Sequence, residues 1–498
     1  MADVGVVEGQ ERLLDVDAAA VVVMVAERRP VGAEKTFRAY DPDQVLLMAP
    51  SLRDWVPDGD LAHFVSDLVE TGALDLAAIY ASYEQERGFP PYDPRLMLKL
   101  LIYGYANSVV SSRKLERATY RDVAVRMLCA GQHPDHRSIA RFRKRHLTAL
   151  GELFVQALRL CEKGGLVGLG VLAVDGTKLR ANASRHKAMS YERMGKQEAR
   201  LEQEVAVLRG RVDALLADAE ATDAAEDEAF GADRRGDELP DELQRRETRL
   251  AVIRQAKAAL EAEAAEAETA RRAELERQGK KPRRPPGGRD PFKPKPTAQR
   301  NFTDPESRIM KTSDGSFHQC YNGQAIVDSS TQVIVVSELS DQAPDARLLQ
   351  GALDQLDENL DAIGAELPDA AALLGDAGYF SEHNVAITAE HGLDPHLATG
   401  RFKHSEPPAP APRGPIPKDA APKQLMARKL KQKAGAALYA RRKTIVEPVF
   451  GQIDTVQDAR QLLLRGRDPA RQQWRFHCAI HNLLKLHRNG GLALIPTG

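Results

Sequence analysis

Two aspartates in the sequence each follow a short apolar run that is typical of a buried strand. Asp175 comes after the run VLAV, and Asp376 comes after AALLG in a second segment of the same form. A helix predicted to open at Pro344 and Asp345 leads into this second strand, and a strand, a helix and a strand make a crossover between parallel strands. If the strand before Asp175 is the neighbour of the strand before Asp376, both carboxylates emerge at the same edge of one sheet.

A third acidic group lies in the segment YARRKTIVEPVFGQID, residues 439–454. Tyr439, Lys443 and Glu447 are spaced four apart, so on one helix they would share a face. Pro448 complicates this prediction, because the residue before a proline is biased away from helix. Either the helix kinks there, or a new helix begins with Glu447 near its amino end.

Three carboxylates at one sheet edge, with no cysteine or histidine cluster beside them, would suit a hard divalent cation. Mg²⁺ prefers oxygen ligands and is usually bound by a few carboxylates together with substrate phosphate. Two such ions can activate an attacking oxygen and stabilise a leaving oxygen in a displacement on phosphorus. Taken alone, Asp175 and Asp376 would more often be turn residues, and Glu447 a helix cap. Their joint occurrence in this order favours the phosphoryl-transfer interpretation.

The charge of the chain is distributed unevenly. The formal net charge is only -1, but residues 401–498 contain 19 Lys and Arg against 6 Asp and Glu. A basic segment of this kind is the electrostatic footprint expected for a polyanion such as DNA. A solvated basic surface is an equally simple explanation, and charge alone leaves both open.

Four widely separated cysteines argue for a reducing cytosol and against a disulfide framework or a zinc knuckle. The apolar stretch near the start, residues 18–26, is too short to cross a bilayer and has acidic flanks, so no membrane association is expected. Residues 1–35 are interpreted as a leader that is disordered or is not truly part of the translated protein.

Residues 36–165 are predicted to form a helical domain. Asp93 with Pro94, Ser111 or Ser112, and Asp135 mark the starts of three helices. Three short helices that end in a basic one resemble a helix-turn-helix unit whose last helix lies on DNA, although a solvated basic helix on a small bundle would have the same pattern. The candidate DNA-contact residues of the third helix are Arg137, Arg141, Arg143, Lys144 and Arg145.

Residues 191–278 show apolar residues at heptad spacing in two runs, from Leu201 to Leu215 and from Leu243 to Leu260. This pattern predicts an antiparallel helical hairpin inserted into the core, with a structural role such as a dimer arm or spacer. The segment 279–300 is rich in proline, lysine and arginine, which predicts an extended basic linker. The core itself is then divided into residues 166–190 and 301–498, the latter including the basic C-terminal helices.

The ordered set of motifs resembles the DDE transposases of bacterial insertion sequences, specifically the IS1182 group within the IS5-like and IS4-like set. The resemblance runs from about residue 35 to residue 486. The motifs that carry it are FRAYDPDQ, DHRSIARFRKRH, VDGTKLRANAS, GDELP, YNGQAIVD, LLGDAGYF, VEPVFGQI and HNLLKL.

The resemblance implies an α/β fold with a ribonuclease H-like catalytic core, and it places the catalytic and metal-binding triad on Asp175, Asp376 and Glu447. It further implies Mg²⁺ as cofactor, with Mn²⁺ as an alternative, and double-stranded DNA as partner, both as terminal inverted repeats and as target. The expected activity is cleavage and joining of insertion-sequence ends. A homodimer in the bacterial cytoplasm, associated with the nucleoid, is the expected form.

The last motif of this family places a tyrosine, an arginine, a glutamate and a lysine on one helix. Lys443 stands at the position of the family's arginine, Tyr439 is one residue away from the tyrosine's position, and Asp454 stands where the family usually has lysine. Two other functions stay open: a ribonuclease H-like nuclease without strand transfer, and an inactive DNA-binding protein descended from a transposase. Further residues expected to contact DNA phosphates are Lys178, Arg180, Arg442, Lys443 and Arg465.

Overall fold

The computed structural model describes most of the chain from residue 51 to residue 495. The described residues are 51–83, 91–183, 188–230, 241–277, 279–282, 288–312, 314–400, 414 and 420–495, with backbone only for 211–230 and 241–243. The chain divides into two compact units, residues 1–55 and 56–498. In the first unit, the described residues include one 3-10 turn, Leu52–Trp55. The predicted leader and the motif FRAYDPDQ lie outside the described residues.

The second unit begins with short helices, several of which start at an aspartate cap as predicted. The Asp93 carboxylate accepts a hydrogen bond from the Arg95 amide, and the Asp135 carboxylate accepts from the amides of Arg137 and Ser138. These helices are α1 (Leu61–Glu70), α2 (Ala77–Tyr80), α3 (Pro94–Ala106), α4 (Ser112–Arg121), α5 (Val123–Leu128), α6 (His136–Arg145) and α7 (Leu147–Lys163).

The apolar pattern of the segment RKLERATYRDVAVRML, residues 113–128, predicts one amphipathic helix. The structure instead has two helices there, α4 and α5. The helix α4 ends at Arg121, and the backbone of Asp122 is extended. The Asp122 side chain then accepts from the Val125 amide at 3.1 Å and caps α5. A residue that competes for helical backbone groups therefore divides the segment.

The centre of this unit is a six-stranded mixed sheet. Its strands are β1 (Val171–Arg180), β4 (Arg308–Lys311), β5 (Phe317–Asp328), β6 (Ile334–Ser340), β7 (Ala372–Gly375) and β8 (Asp394–Leu397), and a separate pair is formed by β2 (Ala188–Ser190) and β3 (Gln299–Asn301). The sheet order is β4-β5-β1-β7-β8. The strand β4 pairs with the first part of β5, residues 317–320, and β6 pairs with the later part, residues 322–327. The strands β1, β7 and β8 are parallel to one another, whereas β5 is antiparallel to β1. The strand-like segments FHQCYNGQAIVD and QVIVVSEL, separated by the Ser329-Ser330 turn, predict a hairpin. The hairpin is present as β5 and β6.

The strand β1 is longer than predicted and does not end at Asp175. It continues through Gly176 to Arg180, and Asp175 pairs with Ala325 of β5 in the middle of the ladder. The Asp-Gly pair is therefore part of the strand rather than a turn. This residue pair is typical of turns, because Asp and Gly are both rare inside strands.

The segment with heptad spacing forms two long helices, α8 (Tyr191–Phe230) and α9 (Asp241–Arg277). Their apolar residues form one buried cluster that includes Leu201, Val205, Leu250, Ile253 and Leu260. Charged pairs flank this seam, such as Lys257 with Glu198 at 2.7 Å. Where side chains are described, the apolar residues of the seam thus pack against one another within one chain.

The remaining helices pack on and beside the sheet. A 3-10 turn (Asp345–Arg347) precedes α10 (Leu349–Ile363), and α11 (Glu382–Glu390) precedes β8. The C-terminal helices are α12 (Pro422–Lys431), α13 (Lys433–Ala440), α14 (Arg442–Val456) and α15 (Arg467–Arg488), followed by a 3-10 turn, Gly491–Leu494.

Pro448 lies inside α14, which neither ends nor begins at Glu447. A proline has no amide proton, so the carbonyl oxygen four residues earlier, that of Thr444, loses its helical partner. Here the Thr444 oxygen accepts a hydrogen bond from Nε2 of Gln332 at 2.9 Å. A side chain from the turn between β5 and β6 therefore replaces the missing helical hydrogen bond.

One hydrophobic core joins the N-terminal helices of this unit, the sheet and the C-terminal helices. The helix α15 packs against α7 and β6. Trp474 of α15 is fully buried, and its indole nitrogen donates to the Gln324 carbonyl at 3.3 Å. A Cβ atom added to Gly323 would lie 3.1 Å from the Trp474 ring. The absence of a side chain at Gly323 thus lets the indole approach the strand.

We expect Trp474→Ala to lower the free energy of unfolding by about 3–5 kcal/mol, because it removes a large buried side chain and leaves a cavity. Trp55→Ala is the matched control, since the Trp55 side chain is 52% exposed. Chemical unfolding followed by circular dichroism measures both. An equal effect of the two substitutions would contradict the central packing role of Trp474.

Candidate active site

The parallel pairing of β1 and β7 places the two predicted aspartates side by side. Val174 is in register with Gly375, so Asp175 and Asp376 are the next residues on two adjacent strands. The Asp376 charge is close enough to raise the pKa of Asp175. The predicted meeting of these two carboxylates at one sheet is therefore observed.

Asp175 is three-quarters buried and forms an ion pair with Arg442. The Arg442 Nη1 atom lies 2.8 Å from Asp175 Oδ2, and the Gly176 amide donates to Oδ1 at 2.8 Å. Burial raises the pKa of Asp175, Arg442 and the Gly176 amide lower it, and Asp376 raises it; the net direction is upward. The carboxylate is thus held in a place where negative charge is unfavourable without a cation.

Asp376 lies directly after β7, at the start of a tight turn. Its Oδ1 atom accepts a hydrogen bond from the Gly378 amide at 2.8 Å. A Cβ atom on Gly378 would lie only 2.9 Å from that oxygen. In the turn after β7, Gly378 therefore lies in close contact with the Asp376 carboxylate.

Glu447 is not brought to the two aspartates. Its side chain is 61% exposed, and its nearest charged partner is Lys443, with Nζ 4.0 Å from Oε1. The buried face of α14 carries Arg442, Ile445, Val446, Val449 and Ile453. Among the described residues, no three Asp, Glu, His or Cys side chains are grouped as a metal site. The participation of Glu447 stays a prediction.

The basic residue of α14 that reaches Asp175 is Arg442. The family resemblance instead placed Lys443 at the position of the family's arginine, and Arg442 was expected to contact DNA. In the structure Arg442 is buried against Asp175, while Tyr439 forms a hydrogen bond with Arg442. Tyr439 lies on α13, so it does not share one continuous helix face with Lys443 and Glu447 as predicted.

Lys178 was expected to bind a DNA phosphate, but it pairs with an acid that the sequence analysis did not select as a site residue. Its Nζ atom lies 3.0 Å from Oδ1 of Asp345, in the 3-10 turn before α10. Asn322 and Gln324 donate to the same oxygen at 2.7 and 3.0 Å. The signal that could have revealed Asp345 is the presence of two buried polar residues, Asn322 and Gln324, in the middle of a strand, because such residues need hydrogen-bond partners.

Arg180 and Arg465 are exposed near the end of β1. Arg180 pairs with Asp314 at 3.1 Å, and Arg465 donates from Nε to the Asn182 carbonyl at 3.0 Å. Asp454, which replaces the family's lysine, is half-buried; burial raises its pKa and Arg460 lowers it. A basic residue thus lies near the position where the charge is reversed.

Four of the five predicted residues of α6 are exposed, at spacings of four, three and one that keep them on one face of the helix. They are Arg137, Arg141, Lys144 and Arg145. Arg143 differs, and its assignment to DNA contact is corrected: it is buried, and its guanidinium donates to the Val110 carbonyl at 2.9 Å. Helical periodicity alone could not separate Arg143 from its basic neighbours, because a buried arginine needs a tertiary acceptor to be recognised.

A groove of about 920 Å³ runs beside the exposed face of α6. Arg141 and Arg145 line it together with aromatic side chains, and the Arg145 guanidinium lies over the Tyr83 ring at 4.7 Å. Basic and aromatic groups together suit a nucleic-acid surface.

The raised pKa of Asp175 generates a prediction about pH and stability. A carboxyl whose pKa is raised on folding stabilises the fold below its ordinary pKa, and this contribution is lost as the pH rises through the raised value. Removing the carboxylate also leaves the buried Arg442 without its partner, so the pH dependence of the stability difference is the quantity to compare. We therefore expect the melting temperature of the native, cation-free protein to rise relative to that of Asp175→Asn as the pH falls through the raised pKa of Asp175. Asp369→Asn, an exposed acid before β7, should show no such change. Scanning calorimetry from neutral to acidic pH measures this, and a constant difference in melting temperature between native protein and Asp175→Asn would contradict it.

Comparison with protein-family models gives two matches. Residues 50–145 match the model described as "Transposase domain (DUF772)", and residues 417–487 match the model described as "Transposase DDE domain". The first match covers the helices from α1 to α6. The second covers α12 to α15 and includes Arg442 and Glu447, whereas the two aspartates lie outside both matches.

Searches of curated proteins and of solved structures give no match. Within the described residues, no helix is both long and apolar enough to cross a membrane. The two family matches fall at opposite ends of the chain, in the same order as the motifs of the resemblance. Both are to transposase domains, and together they support an insertion-sequence DDE transposase.

Proposed function

We propose that this protein cleaves and joins the ends of an insertion sequence by divalent-cation-dependent phosphodiester chemistry at Asp175 and Asp376. The observation that carries the proposal is the side-by-side position of these carboxylates on two parallel strands, in a chain with transposase domains at both ends. The IS1182 group and a ribonuclease H-like core are parts of the same proposal. The mixed sheet, with two acids on its adjacent central strands, supports that core.

The residues present fit a hard cation such as Mg²⁺ or Mn²⁺. The donors that the site offers are the carboxylate oxygens of Asp175 and Asp376, and oxygen is the ligand atom that such cations prefer. Polar side chains closely approach the backbone at two glycines: a Cβ atom on Gly176 would collide with Nε2 of Gln324, and one on Gly378 would lie 2.9 Å from Asp376 Oδ1. A cation, when bound, would supply Lewis-acid activation of water and of the phosphodiester.

The protein's own side chains have separable roles in this proposal. Asp175 and Asp376 would hold the cation, and the fixed strands keep their carboxylates adjacent before any ligand arrives. Arg442 neutralises Asp175 in the cation-free protein and borders the place where a scissile phosphate would lie. Glu447 is proposed as the acid supplied by α14, because this helix already touches Asp175 through Arg442.

The DNA itself would be held by surfaces away from the two acids. The exposed basic face of α6 is proposed to contact the terminal inverted repeat, with Arg180, Lys443 and Arg465 as phosphate contacts nearer the site. A homodimer remains part of the proposal, but the apolar seam of α8 and α9 does not support it, because that seam is covered within the chain.

An assay with a DNA fragment bearing the element's ends, a target plasmid and Mg²⁺ tests this function. We expect joined products from the native protein and a loss of at least about 100-fold with Asp175→Ala or Asp376→Ala, since both remove a ligand of the reacting centre. Asp369→Ala is the control. Cleavage without joining would favour the nuclease alternative, and DNA binding without either reaction would favour the inactive DNA-binding protein.

The basic face of α6 is tested by its salt dependence. Arg141→Ala with Lys144→Ala should weaken DNA binding and reduce the slope of log affinity against log salt by about 2, because roughly one counterion is released per phosphate contact. The control replaces Lys163 and Lys196, two exposed lysines on other helices, by alanine. Fluorescence anisotropy at several salt concentrations gives the slopes, and equal slopes for both pairs would exclude this face.

A further inference from the structure

The acid Asp345 is anchored through only one of its two oxygens. Its Oδ1 atom accepts hydrogen bonds from Lys178, Asn322 and Gln324, at 3.0, 2.7 and 3.0 Å. Within the described part of the chain, Oδ2 has no hydrogen-bond donor. A carboxylate fixed at one oxygen presents the other in a defined direction.

That free oxygen points to the same small space as Asp376. A Cβ atom on Gly378 would lie 2.9 Å from Asp376 Oδ1 and 3.4 Å from Asp345 Oδ2, so both oxygens border one position. On the other side, a Cβ atom on Gly176, the residue after Asp175, would lie 3.1 Å from Asp345 Oδ1. Asp345 therefore lies between the two glycines that follow the proposed catalytic aspartates.

The anchoring network is itself rigid and buried. Gln324 is 1% exposed; its Nε2 donates to Asn322 Oδ1 at 3.0 Å, and its Oε1 accepts a hydrogen bond from the fully buried Tyr379 hydroxyl. Burial raises the pKa of Tyr379 well above its ordinary value, and the charges of Asp345, Asp175 and Asp376 raise it further. Tyr379 is thus held as a neutral donor beneath all three acids.

We propose that Asp345 is a further acidic residue of the cation site and acts as a positioning residue from the second coordination shell. Its Oδ2 would accept hydrogen bonds from waters of a cation held by Asp175 and Asp376, and its charge would add to the attraction for that cation. Lys178 neutralises Asp345 when the site holds no cation, and so opposes cation binding. This inference rests on the proposed function of the two aspartates.

The test is the affinity of the full-length protein for Mn²⁺, measured by isothermal titration calorimetry without DNA. Asp345→Asn keeps an oxygen that can accept the three anchoring hydrogen bonds but removes the charge and the free acceptor, so we expect affinity to fall about tenfold. Lys178→Gln removes the opposing charge, so we expect affinity to rise. A purely structural network would give losses in both variants.

Melting temperatures without cation complete the design, with Asp369→Asn as the matched acid control. Asp345→Asn should melt close to the native protein, and a clear decrease accompanied by weaker Mn²⁺ binding would make Asp345 a structural residue and overturn the inference. Native Mn²⁺ affinity in Asp345→Asn, together with a loss in Asp175→Asn and Asp376→Asn, would also overturn it while leaving the proposed function intact. Native affinity in those two variants would instead reject the cation site itself.

Discussion

The parallel pairing of β1 with β7 is the constraint on which the site depends. Because Val174 lies opposite Gly375, the backbone pairing brings two carboxylates into adjacent positions despite their mutual repulsion. The repulsion is reduced by the Arg442 guanidinium and by the amides of Gly176 and Gly378. Each of these contacts lowers the cost of negative charge on the carboxylate that it binds.

The strand β5 supports this arrangement through polar residues that would be unfavourable in an ordinary core. Asn322 and Gln324 are almost completely buried, and every buried polar group of this kind needs partners. Their amides bind Asp345, while the Tyr379 hydroxyl and the Trp474 indole bind the side chain and the backbone of Gln324. The same strand thus links the turn after β7, the helix α15 and the turn before α10 into one unit beneath the acids.

The sequence was sufficient to predict features that depend on local pattern or on strand order. The caps at Asp93 and Asp135, the hairpin of β5 and β6, and the adjacency of Asp175 and Asp376 all follow from such patterns, and all are observed. Arg143 was misassigned to DNA contact, and the ion pair of Arg442 was not predicted, because their acceptors, the Val110 carbonyl and the Asp175 carboxylate, are distant in sequence. Asp345 was seen only as a helix start for the same reason.

Helix α14 shows how a local defect can be turned into long-range order. Pro448 deprives the Thr444 carbonyl of its helical donor, and the Gln332 side chain supplies a replacement. Gln332 also binds α15, since its Oε1 accepts from Lys485 and its backbone carbonyl contacts His481. With Arg442 fixed to β1 at the first residue of the same helix, α14 is held at two points to two different parts of the sheet. Without the proline, the amide of residue 448 would bind the Thr444 carbonyl within the helix, and the hydrogen bond from Gln332 would no longer be needed. Pro448 therefore does not end the helix. It helps to fix the orientation of the preceding acid, Glu447, relative to the sheet.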